Sequence, residues 1–388
     1  MGDFKFIHCA DIHLGSRFKG VETEDAAEML RMREAPAKSL GKIIDLALSE
    51  KASFIVISGD LFEKTAQPSD RKFFCEEAAR AKIPIFISKG NHDVERPWDS
   101  AMPYPSNVRV FPTEPESIFL KANSTEVEVV GISFSGKREN RNIVSMLSGT
   151  PGIFTVACVH CYVEEIGEGH PTAVCSMQDF LGKNVDYWAL GHVHRRVVIR
   201  EHPHAVYPGN AQGRNGKETG PKGAYVVEVS EGKVSKMTFA ETQSIQWRNL
   251  RADVTDLSFE RLRSELSKVF SPGDILSISF RGSGALANHI CSDPGAFSAE
   301  LQKSLGTRIW EISCDKCSRT IEDDLQKDVS DAEKALISGG RQTLEEALDG
   351  AGFLRAHRNS VASMSEKELI RAANEAASYL LREIGGHK

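Results

Sequence analysis

The chain has no apolar run approaching the roughly 20 residues that a membrane-spanning helix needs. Its start, Met1-Gly2-Asp3-Phe4-Lys5-Phe6, has no basic stretch followed by an apolar one, as a secretory leader would. These absences exclude a spanning protein and predict a cytoplasmic location with no membrane partner. Met1-Gly2 does not make an N-myristoylation motif, because position 6 is Phe rather than Ser or Thr. There is no internal repeat and no low-complexity segment. The eight cysteines (Cys9, Cys75, Cys158, Cys161, Cys175, Cys291, Cys314 and Cys317) are scattered and lie mostly inside apolar runs, which predicts reduced, buried thiols and no disulfide framework. Cys314-Asp-Lys-Cys317 lacks the second Cys-x-x-Cys or Cys-x-x-His that a zinc site would pair with it. A net charge of −6 excludes a basic coat, but not a local basic groove.

What is present is an ordinary globular composition, 40% apolar and 26% charged over 388 residues, enough for two or three domains with their own cores. From residue 3 to about 240, strand-like and helix-like runs alternate in an α/β layering. Strands are predicted at Phe4 to Cys9, Phe54 to Ser58, Ile83 to Ser88, Val127 to Ile132, Phe154 to Val159 and Tyr187 to Leu190. Helices are predicted near Asp25 to Ser49, Asp70 to Ala81 and Asn140 to Leu147, with a closing hairpin at Tyr225 to Val229 and Val234 to Phe239. The expected domains are 1–245, a smaller α+β cap at 246–320, and a helical tail at 321–388. The tail ends in a helix opened by the capping-box spacing Ser365-x-x-Glu368, with Leu369, Ala373, Ala376, Leu380 and Ile384 on one face. That stripe suits packing on the chain's own cap or docking a partner.

Five short segments follow the apolar runs in order: Asp11-Ile12-His13, Gly59-Asp60, Gly90-Asn91-His92-Asp93, Val159-His160 and Gly191-His192-Val193-His194. Residues i and i+2 of an extended segment point the same way, so Asp11 with His13, and His192 with His194, could reach one metal from a strand end. Carboxylate and imidazole ligands suit Mn²⁺, Fe²⁺, Zn²⁺ or Mg²⁺. Asp60 is the natural bridge between two ions, while Asn91 offers a neutral oxygen and His160 a further nitrogen. His92 is expected as the catalytic acid, held by Asp93. A lone histidine is by default a satisfied core residue, but five of the twelve fall in this one ordered set. Gly59, Gly90 and Gly191 are expected at sharp turns that place the ligands.

This set, DIH, GDLF, GNHD, VH and GHVH, resembles the calcineurin-like metallophosphoesterases. The opening His8-Cys-Ala-Asp-Ile-His-Leu-Gly15 resembles their DNA-repair nuclease branch, which includes the SbcD and YhaO-like groups, and the run Phe6 to Gly20 is nearest to the latter. The resemblance covers about residues 4 to 240. It implies a layered metallophosphoesterase sandwich with two divalent ions, foremost Mn²⁺. One ion would be held by Asp11, His13, Asp60 and His194, and the other by Asp60, Asn91, His160 and His192, with His92 as acid. It further implies a DNA exonuclease acting in repair, also able to cut single strands internally, with an SMC-type coiled-coil ATPase as partner; homodimerisation stays open. Some repair nucleases have a histidine directly after GDLF, where this chain has Glu63, which puts the balance of exo- and endonuclease action in question.

A nuclease needs cations near its metals. Arg17, Lys19, Lys137, Arg138, Arg141, Arg195, Arg196, Arg200 and Arg214 lie near motif segments, and Phe18, Tyr162 and Trp188 are aromatics that could stack on bases or lie in the core. No recognition-helix motif appears, so sequence-specific readout is not expected. The alternatives are a phosphodiesterase for a small substrate such as a cyclic nucleotide, a protein phosphatase, and a scaffold that keeps ligands only for folding. The Ala-Asp-Ile-His-Leu-Gly-Ser opening and the long C-terminal extension favour the nuclease.

Overall fold

A computed structural model describes residues 2–21, 23, 25–93, 101–167, 170–317 and 365. The chain divides into two units: Met1–Asn249 with Phe270–Ser277 and Thr307–Trp310, and Leu250–Val269 with Ile278–Gly306 and the chain from Glu311 onward. The first unit opens with β1 (Phe4–Cys9), α1 (Ala26–Ser49), β2 (Phe54–Ser58), α2 (Pro68–Ala81), β3 (Ile85–Ser88) and β4 (Val108–Val110). There follow β5 (Glu116–Ala122), β6 (Thr125–Gly131), β7 (Phe154–His160), β8 (Tyr162–Val163), β9 (Val174–Cys175) and β10 (Tyr187–Gly191). The unit closes with β11 (Val197–Glu201), β12 (His204–Tyr207) and the hairpin β13 (Gly223–Ser230) and β14 (Lys233–Glu241).

Two six-stranded sheets result, in the orders β14-β13-β1-β2-β3-β4 and β11-β12-β10-β7-β6-β5. In the first, β1 to β4 run parallel; in the second, β6, β7, β10 and β12 do. Strands covered on both faces read as continuous apolar runs, and β2 and β7 are buried at every position. Alternation then sorts their side chains: Phe4, Phe6, Phe54 and Val56 pack between the sheets, while Ile7, Cys9, Ile55 and Ile57 face α1 and α2. The layers are thus helices, sheet, sheet. Asp25 starts α1 by accepting from the amides of Ala27 and Glu28.

Phe54 stacks on Phe6 at 5.0 Å and meets Phe86 edge-on. Phe54→Ala is therefore expected to cost about 3–5 kcal/mol, read as a lowered denaturant midpoint. A loss below about 1 kcal/mol, the size of an ordinary surface change, would contradict this packing.

The structure departs from the predicted elements at 140–147, which forms tight turns rather than a helix. Side chains take the local backbone donors there: Glu139 accepts from the amides of Ser135 and Arg141, and Asn142 Oδ1 from that of Ser145. Ile143, Val144 and Leu147 are still buried. β4, β5, β8, β9, β11 and β12 have no counterpart among the predicted elements.

The second unit holds α3 (Phe259–Leu266), α4 (Ala285–Ser292) and α5 (Pro294–Leu305); strands β15 (Trp247–Asp253), β16 (Ile275–Gly282) and β17 (Arg308–Cys317), paired in the order β15-β16-β17, each have residues in both units. Phe297 of α5 packs edge-on against Phe259 and Phe280. Of these elements only α4 has no counterpart in the sequence reading. The helical tail with its stripe Leu369 to Ile384, and the side chain of Cys317, lie outside the described residues. Among the described residues no helix is long and apolar enough to cross a membrane.

Candidate metal centre

The carboxyl ends of five parallel strands meet at one point. Asp11 and His13 follow β1, Asp60 follows β2, Asn91 follows β3, His160 ends β7, and His192 and His194 follow β10. This is where an open α/β sheet places its ligand. Backbone bonds knit the loops together: Asp11 N to Gly59 O at 3.0 Å, His13 N to Asp60 O at 2.9 Å, and Leu14 N to Leu61 O at 2.9 Å.

The aiming differs from a simple strand end. Asp11, His13 and Asp60 have φ of 51°, 53° and 51°, and His192 has 107°. Non-glycine residues rarely adopt the left-handed region, and clusters of them mark positions that the surrounding structure over-determines. The predicted i, i+2 extended geometry is therefore replaced by left-handed turns that still bring Asp11 and His13 together. Of the three motif glycines, Gly59 sits at a turn, with φ +89°. Gly191 has no left-handed backbone; a Cβ there would lie 1.7 Å from the carbonyl oxygen of Ser58, so glycine permits close approach of the two sheets.

All seven predicted metal-ligand residues are brought together. Donor atoms of Asp11, His13 and His194 cluster within 4.8 Å of one another, as do those of Asp11, Asp60 and His160. His13 Nε2 lies 3.2 Å from His194 Nε2 and 3.8 Å from Asp60 Oδ2. His160 Nε2 lies 3.2 Å from Asn91 Oδ1 and 3.6 Å from Asp60 Oδ2, and the His192 ring stands 5.1 Å from that of His160. Burial, then the neighbouring Asp60, pushes the Asp11 carboxyl well above its usual range. Burial holds His13 near 3 and His192 near 4, so these imidazoles are neutral and supply no positive charge. Among the described residues the ion-pair partners of Asp11 and Asp60 are histidines. Two buried carboxylates, neutral imidazole nitrogens and no basic side chain paired with them make a donor set that fits divalent cations.

The far side of each histidine ring decides which nitrogen faces inward. His160 Nδ1 meets Ser58 O at 2.9 Å, which turns Nε2 to the centre. His192 Nε2 meets His170 O at 2.8 Å, so its Nδ1 faces the centre; the His170 carbonyl carries no sequence signature. His194 Nδ1 meets Glu218 at 2.8 Å.

His92 is not held by Asp93. The Asp93 carboxylate is taken up by the amides of Leu61, Phe62 and Gly90, and so fastens two motif loops together. The group against His92 Nδ1 is Glu63 Oε1, at 2.6 Å. The other Glu63 oxygen lies 3.3 Å from His13 Nδ1 and 3.0 Å from Arg214 Nη1. A carboxylate three residues after Asp60 thus does what the sequence reading gave to the one directly after His92.

The predicted nucleic-acid contacts separate. Arg214 is buried between Glu63 and Glu218, and Arg141 pairs with Glu139 and Glu114. Trp188 and Tyr162 are buried, and Phe18 packs on Trp247. Arg17, Lys19, Lys137, Arg138, Arg195 and Arg196 are exposed, and Arg200 half-buried. A cavity of about 640 Å³ opens on Asp60, Asn91, His92 and His192 and is lined by Arg195, Arg196 and Lys217. A second, of about 620 Å³, reaches Asn91 from the side of Lys89 and Lys137.

Residues 4–196 match the model of the calcineurin-like phosphoesterase family. Along 98% of its length the chain is 27% identical to an uncharacterized metallophosphoesterase, YhaO, of Bacillus subtilis (strain 168), of which it covers 98%. Over 53% of each chain it is 26% identical to the DNA double-strand break repair protein Mre11 of Aeropyrum pernix. A dimetal phosphatase from Danio rerio is similar in structure, at a TM-score of 0.37 and 12% identity over 59% of this chain and 93% of that one. Residues 4–196, with their buried cluster of aspartate, asparagine and histidine at the strand ends, form a metallophosphoesterase domain of the calcineurin-like family.

Proposed function

We propose that this protein hydrolyses DNA phosphodiesters with two divalent ions, Mn²⁺ foremost, as an exonuclease with single-strand endonuclease capacity in DNA repair. The observation that carries the reading is the pair of cavities that both reach Asn91, each with lysine or arginine on its wall. A chain with phosphates on both sides of the scissile bond has room and counter-charge there; a compact monoester or cyclic nucleotide would need one flank only. The likeness to a DNA double-strand break repair protein supports the same substrate.

One ion would be held by Asp11, His13, Asp60 and His194, and the other by Asp60, Asn91, His160 and His192. When bound, such ions neutralise phosphate oxygens and make water a stronger nucleophile at neutral pH. Asp60 Oδ1 accepts from the His92 amide at 2.8 Å and so fixes the acid's backbone beside the metal site. Glu63 accepts from His92 Nδ1–H and orients the ring, which would act as acid from its doubly protonated form by passing the Nε2 proton to the leaving oxygen. Asp93 contributes by locking the loops that carry Asp60 and His92.

Lys217 and Arg195 are placed to meet phosphates. Lys217→Ala and Arg195→Ala are each expected to weaken DNA binding and to lower the slope of log affinity against log salt by about 1, measured by fluorescence anisotropy of single-stranded DNA. Unchanged slopes, with intact DNA and turnover of a cyclic nucleotide in the same preparation, would move the protein to the small-substrate class.

A further inference from the structure

Asn210, Arg214, Glu218 and Lys222, spaced by four, converge on His194 from the irregular segment between β12 and β13. Glu218 Oε1 lies 2.8 Å from His194 Nδ1, while Oε2 accepts from Asn210 Nδ2 and from the Arg214 amide, each at 2.8 Å. The Arg214 guanidinium reaches Glu218 at 3.7 Å with one nitrogen and Glu63 at 3.0 Å with the other. Lys222 Nζ donates to the His194 carbonyl at 2.9 Å. A carboxylate receiving this many donors stays ionised and accepts from an imidazole N–H.

We propose that Glu218 is a positioning residue for His194: it fixes the Nδ1–H tautomer and leaves the Nε2 lone pair for a divalent ion. The inference rests on the two-metal reading and deepens it, because it assigns loading of one of the two positions to a carboxylate outside the five motifs. Nε2 then stands 3.8 Å from Asp11 Oδ1 and 3.2 Å from His13 Nε2, within the first donor cluster. Arg214 joins this arm to the Glu63 arm behind His92 and His13, so one buried cation steadies both.

Glu218→Gln separates positioning from bulk. Two donors, Asn210 Nδ2 and the Arg214 amide, face Oε2, so the glutamine must turn its oxygen to them and its NH₂ to His194. An N–H facing Nδ1 forces the proton to Nε2, where it blocks ligation. The expected result is a loss of affinity of about 10- to 100-fold for one ion of the two, by calorimetric titration of Mn²⁺ into the chelator-stripped full chain, with the other retained. Long-range ¹H–¹⁵N spectra of the metal-free protein should show His194 protonated at Nδ1 in the wild type and at Nε2 in the variant. If the glutamine variant does not fold, Glu218→Asp replaces it, with Nδ1–H kept and an intermediate loss. Two ions bound at wild-type affinity with an unchanged tautomer would overturn the proposal. So would equal loss of both ions with a lowered melting temperature of the metal-free protein, the mark of a merely structural role. A wild type that binds no ion would instead sink the two-metal reading, and the tautomer spectra would still decide the role of Glu218.

Discussion

His92→Ala is expected to lower kcat on DNA by about 100- to 10,000-fold, the range for loss of a positioned acid, while the metal content of the purified protein is unchanged. The split follows from geometry. The His92 imidazole is anchored outward on Glu63, and its amide to Asp60 survives in alanine. Glu63 keeps Arg214 at 3.0 Å, so the substitution leaves no uncompensated buried carboxylate and the fold should hold. Metal analysis beside single-turnover kinetics checks this. Parallel loss of metal and activity would show His92 to be a ligand rather than the acid. Glu63→Gln should move kcat in the same direction by a smaller factor, since the ring loses its orientation and not its presence.

Asp60→Ala should have the larger effect on metal binding. Its carboxylate lies within 3.8 Å of both His13 and His160, the inward histidines of the two donor clusters, so its loss weakens both positions together. The drop should exceed the about 10- to 100-fold that removal of an outer hydrogen bond costs, with activity falling to background. The metal-free variant should also melt below the chelator-stripped wild type, because the His92 amide loses its acceptor and His13 and His160 lose the carboxylate between them, which outweighs the relief of repulsion with Asp11. Mn²⁺ titration and melting of both proteins under chelator test this; retention of two ions would contradict the bridging role.

The parts of this molecule legible in the sequence are those where local pattern and tertiary role coincide. The buried parallel strands β2, β7 and β10 are largely apolar runs, β1 is one interrupted by Lys5 and His8, and the ligands end or closely follow them, so runs and motifs locate the centre together. Edge strands such as β5 and β11 carry mixed residues and show no such contrast. At 140–147 the apolar spacing is helical, yet Glu139 and Asn142 compete for the backbone. The outer arms of the site are not legible in the sequence, for a different reason. Glu63 and Arg214 were visible as residues but not as partners, 151 positions apart. Arg214, with the look of a DNA contact, is a buried counter-charge. Glu218 and the His170 carbonyl have no local pattern to announce them, because their roles exist only once the segment after β12 and the segment between β8 and β9 lie beside the end of β10.

The central claim, that two ions in this buried cluster cut DNA, is tested most directly by following cleavage of end-labelled single- and double-stranded DNA while Mn²⁺ is titrated into the chelator-stripped protein and bound ions are counted. The account predicts that cleavage rises as the second equivalent binds and is absent in His92→Ala at full metal loading. Full cleavage at one equivalent, or intact DNA at two, would contradict it.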